Sequence, residues 1–534
     1  MVRHIVERLS VSHDDHTRAA AAAELSELAR FDSAARGNIV GAGAVPPLLL
    51  LLREGGPTGR THAAGALWNL TAEPLNHVAI MQAGAGAPLV RLLVDGTLQG
   101  RTNAAGALRN LAVNAENKTA ILAAGAITPL VRLLFEGTPD GCTTAAGALR
   151  NLAQKADGKV AIARAGGIPP LVRLLDEGTP QSRTQAAGAL RNLALAAENK
   201  VAIARVGGIE LLVRMLGSSA QEGRANAAGA LFALALGNGE NQLAIVRAGG
   251  IVPLVKLLVD GTPHGRANSA GALGSLAFRH ADSRVAIARA GALAPLVQLL
   301  DDGTAEGRAN AAGALRNLAC HGDNKAAIAR VGGVAPLVRL LEDGSTQGRT
   351  QAAGALRNLA FKVGNEAAIA KAGGIALLVR LLDDGTAEGR ANAAGALFAL
   401  ALINQDCQQA VIKAAGVAPL VDLLCKGPNE VHSDAALALR ALRVDEEQLR
   451  RLGACEQRVR FYSQQSWLFA ILKGFKTFDR LRDGLGQCIG SNVTAPPDVA
   501  SPWLKSSFCV TSPTQVAPKE RRPSFETDQA LLYR

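Results

Sequence analysis

Large rings are scarce in this sequence of 534 residues: twelve Phe, three Trp and two Tyr make up 3% of it, although hydrophobic residues reach 48%. Any core is therefore built from Ala, Leu, Ile and Val, which suits thin layers of small helices. Long apolar runs are missing too. Val45 to Leu52 is interrupted by proline and stops well short of the roughly 20 residues a membrane span needs. The N-terminal MVRHIVERLSVSHDD has charges where a signal peptide needs an apolar stretch, and Val2 stands where myristoylation requires glycine. Secretion and acyl anchoring are not expected at this end. The seven cysteines are scattered from Cys142 to Cys509, with no C-x-x-C pair and no Cys/His cluster at ligand spacing, so no metal and a reduced cytoplasmic or nuclear setting are expected. None of the nine histidines recurs with an acid or nucleophile, and no Gly-rich phosphate loop follows a strand pattern. The chain reads as a non-enzyme without a cofactor.

What is abundant is repetition. The string AAGALRNL or a close variant recurs with its Asn, or the equivalent residue, at Asn69, Asn110, Asn151, Asn192, Ala233, Ser275, Asn317, Asn358, Ala399 and Ala441, always 41 or 42 residues apart. A degenerate copy, AAAELSEL, puts Glu27 at the same point one period earlier. A fixed period of this length marks a solenoid, in which each unit buries its apolar face only by stacking on its neighbours.

One unit shows the internal design. Asn117 to Ala124 reads as a short helix closed by Gly125, and Thr128 with Pro129 reads as the N-cap and first residue of a second helix running through Phe135. Glu136 and Gly137 end it, and a third helix of roughly Thr143 to Leu152 carries the repeated string.

Period, helix count, the Gly between the first two helices and the third-helix Asn together resemble the armadillo family over about residues 20–445. AAGALRNL looks most like the armadillo-only and vacuolar-type members. The resemblance implies an all-α, right-handed superhelical solenoid of about ten three-helix repeats. It also implies a concave groove in which the third-helix Asn bonds the backbone of an extended bound segment of another protein. An amide suits that task because it both donates and accepts.

The candidate groove residues follow from helical geometry. At 100° per residue, positions minus 4, minus 7 and minus 11 share the face of the marker Asn, and minus 1 borders it. The ladder is Asn69, Asn110, Asn151 and Asn192, a gap at Ala233 and Ser275, then Asn317 and Asn358. Two Asn stretches with a gap resemble the two cargo sites of importin α, but Gly occupies minus 4 in nine units, from Gly65 through Gly395, where that receptor has Trp and an acidic groove. At minus 1 stand Arg109, Arg150, Arg191, Arg316, Arg357 and Arg440, and at minus 7 Asn103, Gln185, Asn226, Asn268, Asn310, Gln351 and Asn392. The Arg row makes the groove edge positive and favours acidic extended segments, as in β-catenin; the net charge of +12 agrees.

A simpler use of the same residues stays open: Asn bridging neighbouring helices, Arg as a solvated face, and Gly as room either for helix packing or for a ligand backbone. A second row, Arg60, Arg101, Arg183, Arg224, Arg266, Arg308, Arg349 and Arg390, sits at minus 9, faces away from the groove, and reads as structural pairing or helix-end bonding. Nucleic acid is the rival partner for an Arg-lined groove, disfavoured by the few aromatics available to stack bases. A substrate-recognition or adaptor subunit of a ubiquitin ligase is another reading of the same architecture.

Four segments result: a cap at 1–19, the solenoid at 20–445, an amphipathic helical segment at 446–483 and a disordered tail at 484–534. In the third segment Trp467, Leu468, Ile471, Leu472, Phe475 and Phe478 fall on one arc, with Lys473, Lys476 and Arg480 opposite, so it reads as a cap on the last repeat or as the one candidate membrane contact. In the tail, Arg521-Arg522-Pro523-Ser524 makes Ser524 a candidate phosphosite.

Overall fold

The computed structural model describes residues 1–218 and 220–465, and every regular element among them is a helix. Ser524, the arc from Trp467 to Phe478 and the tail at 484–534 lie outside the described residues.

The unit around Asn151 illustrates how sequence becomes structure. Its first helix, Ala115–Ala123, starts at Asn114, whose side chain accepts from the backbone N–H groups of Glu116 and Asn117. Gly125 then takes a φ of +79°, and the second helix, Ile127–Glu136, leaves at 82° to the first. Most units turn the same way on a glycine, because a left-handed residue carries no Cβ penalty there. The last uses Ala415, at φ 57. Thr128 and Pro129 therefore sit inside the first turn of the second helix rather than opening it; its N-cap is Ala126, which has no side-chain bond to offer. The Thr-Pro signature belongs instead to Thr138 and Pro139. Thr138 caps the third helix, Pro139–Leu152, by accepting from Gly141 N at 3.1 Å, so that helix is one turn longer than the sequence suggests. Thr97, Thr179, Thr262, Thr304, Ser345 and Thr386 cap their third helices in the same way. Each such cap contributes about 1 kcal/mol.

The third helices stack side by side as the spine of the array, in the order Asp15–Phe31, Pro57–Leu70, Leu98–Leu111, Pro139–Leu152, Pro180–Leu193, Gln221–Ala235, Pro263–Ala277, Ala305–Leu318, Thr346–Ala360, Ala387–Ile403 and Asn429–Ala441. Their inner sides are small: Ala104, Ala105, Ala107, Leu108 and Leu111 are all without solvent exposure, and the pattern recurs along the array, with Ser269 for the first Ala in one unit and an exposed Glu24 in the N-terminal helix. Alanine lets the helices approach closely, and leucine fills the layer beneath against the second helix.

At the N-terminus, Val2–Val11 buries Ile5, Val6 and Leu9, and Arg8 pairs with Glu24 at 2.9 Å. The helix bearing the degenerate copy begins at Asp15. At the other end, Glu446–Arg451 and Glu456–Gln464 follow the last third helix, with Val459 and Tyr462 buried. No single helix among the described residues is long and apolar enough to cross a membrane.

Candidate functional site

Each ladder Asn first serves the array. Asn151 donates from Nδ2 to the carbonyl of Arg109, Asn192 to that of Arg150, Asn317 to that of Gly274 and Asn358 to that of Arg316, each at 2.8 Å. Asn69 reaches Ser26 O at 2.9 Å, and Asn110 reaches Trp68 O at 3.5 Å and Thr71 Oγ1 at 3.3 Å. In every case an acceptor is the backbone carbonyl of the minus-1 residue of the preceding unit. Except for Ser26, which lies inside the longer Asp15–Phe31 helix, that residue sits in the last turn of its helix, where carbonyls have no intrahelical partner. The Asn thus caps its neighbour across the stack, which is the bridging role left open above. All six are half-buried. Asn151, Asn192 and Asn317 make no other hydrogen bond among the described residues, which leaves an amide hydrogen and a carbonyl oxygen on this face.

The minus-7 row also bridges. Asn103 donates to Thr61 O at 3.0 Å and Asn310 to Ala267 O at 3.0 Å, whereas Gln185 and Gln351 accept from Arg150 Nη1 at 3.3 Å and Arg316 Nη1 at 3.2 Å. Asn103 and Gln185 are buried. Asn226, Asn268 and Asn392 are buried as well and bond the preceding third helix.

The recurring minus-4 Gly has a steric reason. A Cβ on Gly147, Gly188 or Gly354 would stand 2.7 Å from the Cδ of Arg109, Arg150 or Arg316, the minus-1 residue of the unit before. The Gly is a trough in which that side chain lies flat. Gly106 holds Trp68 in the same way, and Gly271 holds Phe232, whose Cε1 is 2.7 Å from the Cβ point. Gly274 has no side chain at minus 1, and Gly313 one unit later meets nothing nearer than Gln351 Oε1 at 3.4 Å. Packing, not ligand space, therefore explains the glycines that face a minus-1 side chain, and nothing in the structure explains Gly313.

Lying flat, the arginines reach two units ahead. Arg150 pairs with Glu222 at 3.1 Å, Arg316 with Glu388 at 2.7 Å and Arg357 with Asp434 at 3.0 Å. Arg357 is itself buried, and its guanidinium is pushed down to about 10, first by burial. Burial in turn pushes Asp434 up to about 6. Arg440 is covered by the C-terminal helix: its Nη2 donates to Tyr462 O at 2.6 Å and its guanidinium stands 4.2 Å from the Tyr462 ring centre. Arg191 donates to His264 Nε2 at 2.6 Å, which requires a neutral imidazole with its proton on Nδ1. Arg109 has no carboxylate partner among the described residues, and burial and then Arg150 hold its guanidinium below the usual range. The positive character of the face is therefore concentrated at Arg109 and Arg191, on either side of the Arg150 pair.

The minus-9 row faces outward and is structural. Arg101, Arg224, Arg266 and Arg349 pair with Glu136, Asp260, Asp302 and Asp384 at the end of the next unit's second helix, at 2.6 to 3.2 Å, and Arg60 and Arg308 pair likewise with Asp95 and Asp343. Arg183 bonds the carbonyls of Asp176 and Gly178 instead. Arg390, which would meet Lys426, leaves its Nε buried without an acceptor.

Residues 32–72, 114–154, 155–195, 196–235, 280–320 and 323–361 match the armadillo/beta-catenin-like repeat. The crystal structure of an engineered protein is 32% identical, with a TM-score of 0.62, and the match covers 83% of this chain and 98% of that one. The chain belongs to the armadillo-repeat family. A designed armadillo repeat protein is 29% identical over 44% of this chain and 100% of its own, with a TM-score of 0.41. Among curated proteins no similar sequence was found. Armadillo repeats form protein-interaction scaffolds, and this array is one. Among the described residues no three His, Cys, Asp or Glu side chains are grouped to hold a metal ion.

Proposed function

We propose that the third-helix face binds an extended segment of another protein that carries acidic side chains, seated over the Asn110, Asn151 and Asn192 units. The observation that carries this reading is the contrast within one Arg row: Arg150, Arg316 and Arg357 form ion pairs with carboxylates, whereas among the described residues Arg109 and Arg191 form none, Arg191 bonding a neutral histidine while Glu306 acts on it from beyond ion-pair distance. A ligand carboxylate would meet a guanidinium whose charge is already disfavoured by burial, which strengthens a charge-assisted bond. Between the arginines, the second amide hydrogens and carbonyl oxygens of Asn151 and Asn192 supply sequence-tolerant bonds to an extended backbone, about 1 kcal/mol each. At about 3.3 Å per residue and layers about 10 Å apart, three ligand residues pass each unit.

Fluorescence anisotropy with a labelled peptide bearing Glu at every third position, against its Gln counterpart, tests this. The acidic peptide should bind at least tenfold tighter, and Arg109→Glu with Arg191→Glu should remove that preference. Equal binding of both peptides, or a variant that keeps the preference, would overturn the assignment.

A further inference from the structure

The first helices carry a pattern that the stacking of the array does not use. In Ala197–Arg205, the residues Glu198, Val201 and Arg205 are spaced by three and seven, so they share one side of the helix, and all are exposed. Gly239–Arg247 repeats the order with Glu240, Leu243 and Arg247. The flanking first helices, Ala156–Arg164 and Ala281–Arg289, likewise begin with an aspartate and end with an arginine at that spacing. Acid and arginine stand about 10.5 Å apart along each axis. In the two central helices none of the four charged residues makes an ion pair or side-chain hydrogen bond among the described residues, unlike most arginines of the two rows described above.

The helix dipole favours an acid at the first turn and a base at the last, and accounts for the charges. It does not account for the apolar residue between them, which is 43% exposed at Val160, 44% at Val201 and 37% at Leu243. Nor does it explain the indentation of about 630 Å³ between the two central helices, floored by Val201, Ala204, Leu243 and Ala244. Three parallel stripes, acidic, apolar and basic, thus cross consecutive units.

We propose that this face pairs with the same face of a second copy of the chain. A two-fold axis along the direction of the array lays each copy's acidic stripe on the other's basic stripe, and apolar on apolar. An axis along the helices instead lays like charge on like. The pattern therefore selects two arrays side by side running in the same direction, with first helices antiparallel across the interface. Four nine-residue helices, about 13.5 Å long and 8–10 Å apart, offer roughly 500 Å² a side, at the lower limit for a specific contact, so the pair is weak and reversible.

Sedimentation equilibrium of the full chain tests this with two variants: Arg205→Glu with Arg247→Glu, which makes both outer stripes acidic, and Glu198→Lys with Glu240→Lys, which makes both basic. The wild type should show a monomer–dimer equilibrium, each variant alone should dimerise at least about tenfold more weakly, and an equimolar mixture should recover to within about threefold of the wild type. Far-UV circular dichroism checks that the variants are folded, and Arg205→Gln with Arg247→Gln, expected to weaken pairing less, stands in for a reversal that does not fold. A wild type still monomeric at roughly 100 μM, folded variants that pair like the wild type, or a mixture that fails to recover would each overturn the proposal.

Discussion

Arg150 lies flat across Gly188, with its Cδ and Nε each 2.7 Å from the point where a Cβ would stand. The same guanidinium ends on Glu222, two units away, so one side chain ties three successive third helices together.

Substituting the troughs should separate their occupants. At Gly313, where the nearest atom is 3.4 Å away, Ala should stabilise by up to about 1 kcal/mol through helix propensity alone. At Gly106 the Cβ would collide with the Trp68 ring, and Ala should destabilise by about 1–3 kcal/mol. Gly188→Ala falls between, because an arginine stem moves more easily than an indole, but it should abolish the coupling between Arg150 and Glu222. Urea-unfolding midpoints and a double-mutant cycle read these differences; an equal effect at all three sites would contradict the trough account.

The buried pair at the C-terminal end makes a pH-dependent prediction. Arg357→Met removes the neighbouring charge that favours the charged form of Asp434, and should cost about 3–5 kcal/mol at pH 7. A carboxyl whose folded pKa lies above its unfolded value gives stability that is present at low pH and lost as pH rises through the folded value. The defect should therefore shrink at pH 5, where Asp434 takes up a proton. A thermal-unfolding series from pH 5 to 8 measures it, and a defect independent of pH would mean that the pair is not the cause.

His264 behaves in the opposite sense. Burial and then Arg191 lower its pKa, so the unfolded chain binds the proton more readily and stability is lost as pH falls below the ordinary histidine range. Protonation also ends the bond from Arg191. His264→Gln, which keeps an acceptor, should flatten that acid-side loss, as followed by unfolding midpoints between pH 7.5 and 5.

The C-terminal helix should be fastened mainly by Arg440. Tyr462 donates its hydroxyl to Val444 O, and burial holds the phenol protonated up to about 12. Tyr462→Phe should cost about 1 kcal/mol. Arg440→Ala removes the bonds to the Tyr462 and Ser463 carbonyls together with the ring contact, and should expose Glu456–Gln464 to hydrogen exchange and proteolysis while units further back stay protected. Uniform exchange along the chain would count against this.

The repeat period, the three-helix unit, the left-handed Gly after the first helix and the outward pairing of the minus-9 arginines were legible in the sequence. Each is a local matter: apolar spacing selects the helical face, and a φ near +80° selects glycine. Thr128 and Pro129 show the limit of local reading, since an identical Thr-Pro pair lies at 138 and 139 and only the packing of the second helix decides which one caps.

The order of helices and the residue types facing the groove were set by the sequence itself, through periodicity and backbone stereochemistry. That Asn151 donates to the Arg109 carbonyl, that Gly188 holds an arginine side chain, and which arginines kept a carboxylate were decided only by stacking. Those outcomes depend on residues one or two repeats apart, such as Arg150 with Glu222 and Arg357 with Asp434, whose distances no single repeat specifies.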